Sequence, residues 1–173
     1  MNAANGNAAD YFIERHLREG RGERLAFADP WRSLTYAGLA AASARFAAAL
    51  QAAGIERERR IALLMLDTID FPIAFWGALR AGIVPVPINT LLPADITEYI
   101  LRDSRAAALV VSAPLLEPLR PMLDRLPGLR QIIVSQPDGD PVSQSGADAR
   151  ATGFGAFLDH AAPAAEIAEC SPD

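Results

Sequence analysis

The sequence predicts an α/β fold built on a mostly parallel sheet with helices on both faces, preceded by a small N-terminal hairpin. From residue 60 onwards, apolar segments of strand length alternate with helical segments of ten or more residues, which is typical of parallel βαβ units. Right-handed crossovers then place helices on both faces of the sheet. The chain has 173 residues, of which 51% are hydrophobic and 21% charged, so it can bury one sizeable core.

The first predicted element is a short helix over residues 11–20. Asp10 is a suitable N-cap, because its carboxylate can accept a hydrogen bond from a free backbone N–H group. Tyr11, Ile13 and Leu17 fall roughly on one side of this helix, so they are expected to face the interior.

A hairpin and a long helix are predicted next. Residues 24–29 alternate like a strand, and a turn containing proline leads into a second strand over residues 33–35. Thr35 is expected to cap a helix through residue 51, which Gly54 ends. The apolar stripe of this helix consists of Leu39, Ala42, Phe46 and Leu50.

The sheet itself follows. Asp67 or Thr68 is expected to cap the helix that follows the strand at 60–66, and Gly82 is expected to end that helix. Asp67 and Asp70 lie three residues apart and could form an acid–base pair, but capping is favoured because a carboxylate there complements the helix dipole. The strands are expected at 60–66, 83–88, 107–112 and 131–135, and the later helices near 94–104 and 114–126.

The composition changes after residue 136, which predicts two regions. Residues 1–136 form the α/β subdomain. Residues 137–173 comprise a mobile surface loop rich in Pro, Gly, Ser and Asp, a short helix, and a tail that has the character of a truncated connection.

A screen for chemistry finds no catalytic, cofactor-binding or metal-binding residue. All 16 basic residues are arginine, so no lysine can clamp a phosphate or act as a nucleophile, and no phosphate-binding glycine loop is found. His16 and His160 lie far apart, and Asp138 and Asp140 are interpreted as turn residues. Cys170 is the only cysteine, which is typical of a reducing compartment.

The charge and hydropathy patterns exclude several partners. The net charge of -5, without any block of like charges, indicates neither nucleic acid nor an anionic membrane. The most apolar segments are broken by charged residues and proline, so none is predicted to span a bilayer, and the N-terminus does not resemble a signal peptide. A cytoplasmic location is expected.

Two segments resemble motifs of the adenylate-forming enzymes, the superfamily of acyl-CoA synthetases, peptide-synthetase adenylation domains and luciferases. Residues 33–39, SLTYAGL, are similar to its [ST]-x-T-Y-x-x-L opening. Residues 77–89, GALRAGIVPVPIN, are similar to its G-x-x-x-A-G-x-x-x-V-P-[ILV]-N motif. Further segments, at 66–75, 89–92, 103–106 and 108–112, most resemble the N-terminal part of benzoate–CoA ligases.

The resemblance implies a ligase that uses ATP, Mg and CoA. A carboxylate such as benzoate would attack the α-phosphate of ATP, giving an acyl-adenylate and pyrophosphate, and the thiol of CoA would then displace AMP. Such an enzyme serves aromatic compound degradation. The family's ATP loop, aryl pocket and catalytic lysine come later in the chain, so no catalytic residue can be assigned here. Motif positions with structural roles are Thr35, Tyr36, Leu39, Asp67, Gly82, Pro85, Pro87 and Asn89.

The resemblance also sets expectations for the chain by itself. We expect it to be inactive, to bind none of these cofactors tightly, and to form a homo-oligomer through apolar surface that further polypeptide would cover. Two alternatives stay open: a ligase acting on another aryl, fatty or alicyclic acid, and a stand-alone α/β module without enzymatic activity that binds a nucleotide or a protein.

Overall fold

A computed structural model describes residues 6–136, 148–159 and 166–170. It confirms the predicted fold class. The strands are β1 (Leu25–Ala28), β2 (Ser33–Thr35), β3 (Arg60–Leu64), β4 (Val84–Pro87), β5 (Ala108–Ser112), β6 (Gln131–Ser135) and β7 (Ala151–Gly153). Five of them form a parallel sheet in the order β4-β3-β5-β6-β7, and a separate antiparallel hairpin pairs β1 with β2.

Helices cover both faces of the sheet. They are α1 (Arg15–Arg18), which continues a π-helical turn (Asp10–Glu14), α2 (Tyr36–Ala52), α3 (Asp70–Arg80), α4 (Ala94–Asp103), α5 (Ala113–Leu116), α6 (Arg120–Leu123), which follows a 3-10 turn (Glu117–Leu119), and α7 (Phe154–Asp159).

Alternation along the strands builds two cores, because successive side chains point to opposite faces. Ile61 and Leu63 lie in a core with α2, α3 and α7, where Phe46 stacks on Phe154 with ring centroids 5.5 Å apart. Ala62 and Leu64 lie in a second core with residues of α4, α5 and α6.

The predicted cap of the first helix is wrong. Asn7 occupies that role, since the Ala9 N–H donates to its Oδ1 over 2.9 Å, while the Asp10 carboxylate pairs with Arg18. Tyr11 is 52% exposed instead of facing the interior, whereas Ile13 is buried. The π-helical turn changes the spacing of side chains around the axis, so the 3.6-residue pattern misplaced Tyr11.

The predicted cap of α3 is also wrong. The helix begins at Asp70, no side chain of the preceding residue caps it, and Asp67 is exposed. Thr68 bends back so that its N–H donates to the Leu66 carbonyl. The Ile69 N–H donates instead to Asp29 of the hairpin over 2.9 Å, so a distant carboxylate satisfies this helix end.

Three further differences concern the second half of the chain. The single helix expected at 114–126 is divided into short turns, because Pro114, Pro118 and Pro121 lack the N–H that a continuous helix requires. Part of the expected loop, β7, pairs with β6. The described tail is also held in place, since the Ala168 N–H donates to the Arg80 carbonyl.

Candidate functional site

Open α/β sheets bind ligands beyond the carboxyl ends of their strands, where the strand order reverses. Here the chain moves from β3 to β4 on one side and then crosses to β5, β6 and β7 on the other. The reversal therefore lies between β3 and β5. We call the surface formed by the carboxyl ends of β3, β5 and β6 the carboxyl edge, and it is where a site should be sought.

A buried carboxylate organises the carboxyl edge. Asp70 is only 4% exposed, and the Ser135 hydroxyl at the end of β6 donates to its Oδ2 over 2.7 Å. Arg32 of the hairpin forms an ion pair with the same carboxylate, its Nη1 lying 2.9 Å from Oδ1. A buried carboxylate needs such partners. Asp70 therefore joins the sheet, α3 and the hairpin.

A second carboxylate fixes the hairpin turn to the start of α3. The Trp31 and Arg32 N–H groups donate to Oδ1 of Asp29 over 2.9 and 2.7 Å, and the Ile69 N–H donates to Oδ2. Burial by itself raises the pKa of Asp29, but the three backbone donors and the charge of Arg32 together lower it below its ordinary value. Asp29 therefore stays ionised at neutral pH.

The crevice between β3 and β5 is closed by the protein itself. The Leu66 N–H, just beyond β3, donates to the Ser112 hydroxyl at the end of β5 over 2.9 Å, and Ser112 is completely buried. The reversal point is therefore a packed junction between strands.

An open cleft of about 820 Å³ lies beside Asp70, on the side of β6, β7 and α7. Ile73, Val134 and Leu158 contribute apolar surface to it, while Asp70 and Arg32 lie along its lining. The carboxylate and the guanidinium already bind each other. Such a cleft can accept apolar groups, but these two lining groups are engaged in structure rather than free for proton transfer.

The residues of the first motif organise the start of α2. Thr35 caps the helix, accepting a hydrogen bond from the Gly38 N–H at its Oγ1 over 3.1 Å. Tyr36 stacks on His16 with ring centroids 3.8 Å apart, and Leu39 is fully buried. Desolvation, followed by the charges of Arg21 and Arg15, lowers the pKa of His16. His16 is therefore part of the packing between the first helix and α2.

The residues of the second motif organise the turn from α3 into β4 and the loop beyond. Gly82 has a φ of +70°, in the left-handed region that favours glycine. Asn89 accepts a hydrogen bond from the Leu91 N–H at its Oδ1 over 2.9 Å. A Cβ at Gly77 would come within 2.9 Å of the Ser43 carbonyl oxygen and closer still to the Phe46 ring. Gly77 therefore allows α3 to approach α2 closely.

Pro85 and Pro87 lie in β4 at the edge of the sheet. The Val84 N–H donates to Arg59 O and the Ile88 N–H to Leu63 O, both on the side of β3. Because backbone groups alternate along a strand, the nitrogens of residues 85 and 87 face outward, and both are prolines without an N–H. The outer edge of β4 thus offers no backbone donor at these two positions.

The structure separates the other candidates. Asp67 is exposed while Asp70 is buried, so the two do not form a pair. Within residues 6–136, 148–159 and 166–170, no group of His, Cys, Asp and Glu could hold a metal ion. His160, Asp138 and Asp140 lie outside the described residues. No helix among the described residues is long and apolar enough to cross a bilayer.

Sequence reasoning missed the contacts of Arg32, Asp29 and Ser135. The sequence around residue 29 indicates a turn, and Ser135 ends a predicted strand, but neither pattern shows that the turn folds over the carboxyl edge. A buried serine at the end of an apolar strand is the one signal that could have pointed to a polar network there.

Comparisons with known proteins agree with the fold and the motifs. A family model described as AMP-binding enzyme matches residues 13–170. A 4-hydroxybenzoate–CoA/benzoate–CoA ligase of Rhodopseudomonas palustris is 50% identical over 127 residues, which are 73% of this chain and 24% of that protein. A benzoate–CoA ligase of Thauera aromatica is 42% identical over 135 residues, 78% of this chain and 26% of that protein.

Among solved structures, a benzoate CoA ligase from Burkholderia xenovorans LB400 superimposes with a TM-score of 0.81 at 39% identity, covering 95% of this chain and 30% of that one. The chain thus spans between about a quarter and a third of the length of these relatives.

Proposed function

Because the chain belongs to the family of AMP-binding enzymes, we propose that it is the N-terminal part of an ATP-dependent ligase that joins an aromatic carboxylate to coenzyme A. The observation that carries this proposal is its 50% identity over 127 residues to a ligase named for benzoate and 4-hydroxybenzoate. The whole enzyme would convert the acid, ATP and CoA to the thioester, AMP and pyrophosphate. We place it in the cytoplasm, where ATP and CoA are available.

The contribution of this chain to that reaction is structural. The sequence has no lysine, and the described residues contain no acidic cluster for a metal ion. We therefore assign no site for ATP or Mg²⁺ to these residues and derive no catalytic step through them. Their part is to build the sheet and to fix the hairpin across its carboxyl edge through Asp70 and Asp29.

An activity assay of the full-length ligase with several acids tests the proposed substrate class. Purified enzyme should form AMP and a CoA thioester with benzoate or a hydroxybenzoate, and much less with cyclohexanecarboxylate or a long-chain fatty acid. A preference for the fatty or alicyclic acid would overturn the aromatic assignment while keeping the ligase.

An assay of the isolated 173-residue chain tests whether its role in the enzyme is only structural. It should release neither AMP nor pyrophosphate when benzoate, ATP, Mg²⁺ and CoA are supplied together. Benzoate-dependent turnover by this chain would contradict the structural role. A reading frame that stops directly after Asp173 would favour the rival, a stand-alone α/β binding module, over a ligase.

A further inference from the structure

Five aromatic side chains form a continuous row on one side of the molecule. Tyr11, Phe12, Trp76, Phe75 and Phe71 follow one another with ring centroids 5.0, 5.7, 5.3 and 6.2 Å apart. Two belong to the N-terminal π-helical turn and three to α3. We call these five residues the aromatic row.

The aromatic row is only partly covered. Tyr11 and Phe12 are each 52% exposed, and the three residues of α3 are partly buried against the core. Contiguous aromatic surface is unfavourable in water, so a patch of this kind marks a surface that another element covers.

The aromatic row is held in place before any partner arrives. Glu14 pairs with Arg80, both largely buried, and this contact ties the first helix to the end of α3. The Asn7 side chain donates from Nδ2 to the Leu79 carbonyl over 2.8 Å. Preorganisation lowers the entropy that docking would otherwise cost.

The neighbouring sheet edge restricts how a partner can approach. Helix α3 packs against β4, whose two outward-facing nitrogens belong to Pro85 and Pro87. A strand added here would find no N–H donor at either position. A partner on this side therefore gains fewer backbone hydrogen bonds from β4, and the aromatic row offers side-chain contacts instead.

We propose that the aromatic row is the surface on which the remainder of the ligase polypeptide docks, through an apolar face of its own. This inference rests on the proposed function. In the two curated relatives the matched part is 24% and 26% of the protein, so about three quarters of such an enzyme lies elsewhere.

The course of the described tail supports this occupant. Asn7 Nδ2 donates to the Ala168 carbonyl over 3.0 Å, and the Ala168 N–H donates to the Arg80 carbonyl over 2.9 Å. Segment 166–170 therefore runs beside the residues that anchor the first helix to α3. Polypeptide that continues from this segment in a full-length ligase starts next to the row.

Hydroxyl-radical footprinting of the isolated chain and of the full-length ligase tests the proposal. Oxidation of Tyr11, Phe12 and Trp76 should be about fivefold slower in the full-length protein, because the core of an interface is packed like a protein interior. Tyr99 on α4, 65% exposed and outside the row, is the internal control and should keep its rate. Equal rates for the row in both proteins would overturn the proposal.

Concentration distinguishes a second copy from the remainder of the same chain. Intramolecular docking protects the row equally at every concentration of the full-length ligase. Protection that appears only as the concentration rises would assign the row to a dimer and overturn the proposal. Turnover of benzoate is measured on the same sample. An active enzyme whose aromatic row is unprotected refutes the docking alone. An inactive enzyme whose aromatic row is protected refutes only the proposed function.

A variant pair gives an independent readout. Phe12→Ser should lower the thermal midpoint of the full-length ligase by several degrees more than that of the isolated chain, where Phe12 is half exposed and contacts only Tyr11 and Trp76 of the row. Tyr99→Ser is the matched control and should change neither midpoint. A Phe12→Ser effect of equal size in both proteins would show a role within this chain only and contradict docking.

Discussion

Nη1 of Arg32 lies 2.9 Å from Oδ1 of Asp70, and this ion pair connects the hairpin to the first residue of α3. The guanidinium is partly exposed whereas the carboxylate is buried. The carboxylate therefore depends on this contact more than the guanidinium does, and it also accepts a hydrogen bond from Ser135.

Replacing Asp70 should destabilise the chain. Asp70→Ala leaves the buried Ser135 hydroxyl without its acceptor and removes one of the two carboxylates that pair with Arg32. This should lower the free energy of unfolding by about 2–4 kcal/mol. Urea denaturation measures the change, and Asp67→Ala is the control because Asp67 is exposed. Equal effects of the two substitutions would refute the importance of this network.

The stability of the chain should depend on the ionisation of Asp29. Its folded pKa lies below the ordinary value of 3.8, so the unfolded chain binds the proton more readily. The stabilisation is complete above pH 3.8 and is lost as the pH falls from there through the folded pKa.

The pH dependence can be isolated with Asp29→Asn. The difference in the urea midpoint between wild type and this variant should shrink as the pH is lowered from 6 towards 3. Asp67→Asn provides the matched control. A difference that is constant over this range would show that the charge of Asp29 does not contribute.

Gly77→Ala should destabilise the chain, although replacing a helical glycine by alanine usually stabilises a helix. The new Cβ would meet Phe46 and the Ser43 carbonyl at less than 3 Å, so α2 and α3 would have to separate. Overpacking of this kind costs about 1–3 kcal/mol. Gly155→Ala in α7 meets nothing within 4 Å and should be neutral or slightly stabilising. Thermal denaturation measures the stability of both variants. If Gly77→Ala is as stable as Gly155→Ala, the close approach of α3 to α2 at Gly77 is disproved.

Thr35→Ala should remove the cap of α2. Loss of the hydrogen bond from the Gly38 N–H is expected to lower the free energy of unfolding by about 1 kcal/mol, the usual cost of a missing N-cap. Thr35→Ser keeps the hydroxyl and should retain most of the stability. If chemical denaturation finds serine as damaging as alanine, the methyl group rather than the cap is responsible.

Much of the sheet could be predicted because its strands are buried on both faces. Such strands are continuous apolar runs, as in residues 107–112, and the glycine that ends α3 is equally visible. The strand β7 was missed because its three residues form no apolar run, and only Thr152 among them favours a strand, whereas Ala151 and Gly153 do not. Its position depends on β6, which a local pattern cannot show.

The contacts of the carboxyl edge could not be predicted for a similar reason. The pairing of Asp70 with Ser135 spans 65 residues, and the bond from Ile69 to Asp29 spans 40. Local rules correctly placed a helix after β3, but they assigned its cap to Asp67 or Thr68 because those residues are adjacent in sequence. The hairpin had to be folded over the sheet before Asp29 could take that role.

The two prolines of β4 have a consequence during synthesis. On the ribosome, β3 and β4 are made before β5 and β6, so the first pair of the nascent sheet exists for a time without its neighbours. An exposed strand edge at that stage can recruit the same strand of another nascent chain and begin aggregation. With Pro85 and Pro87 facing outward, one of the two free edges of that pair, the outer side of β4, lacks an N–H donor at both positions. The prolines thus make the outer side of β4 a poorer template for a further strand than the side of β3 that β5 occupies.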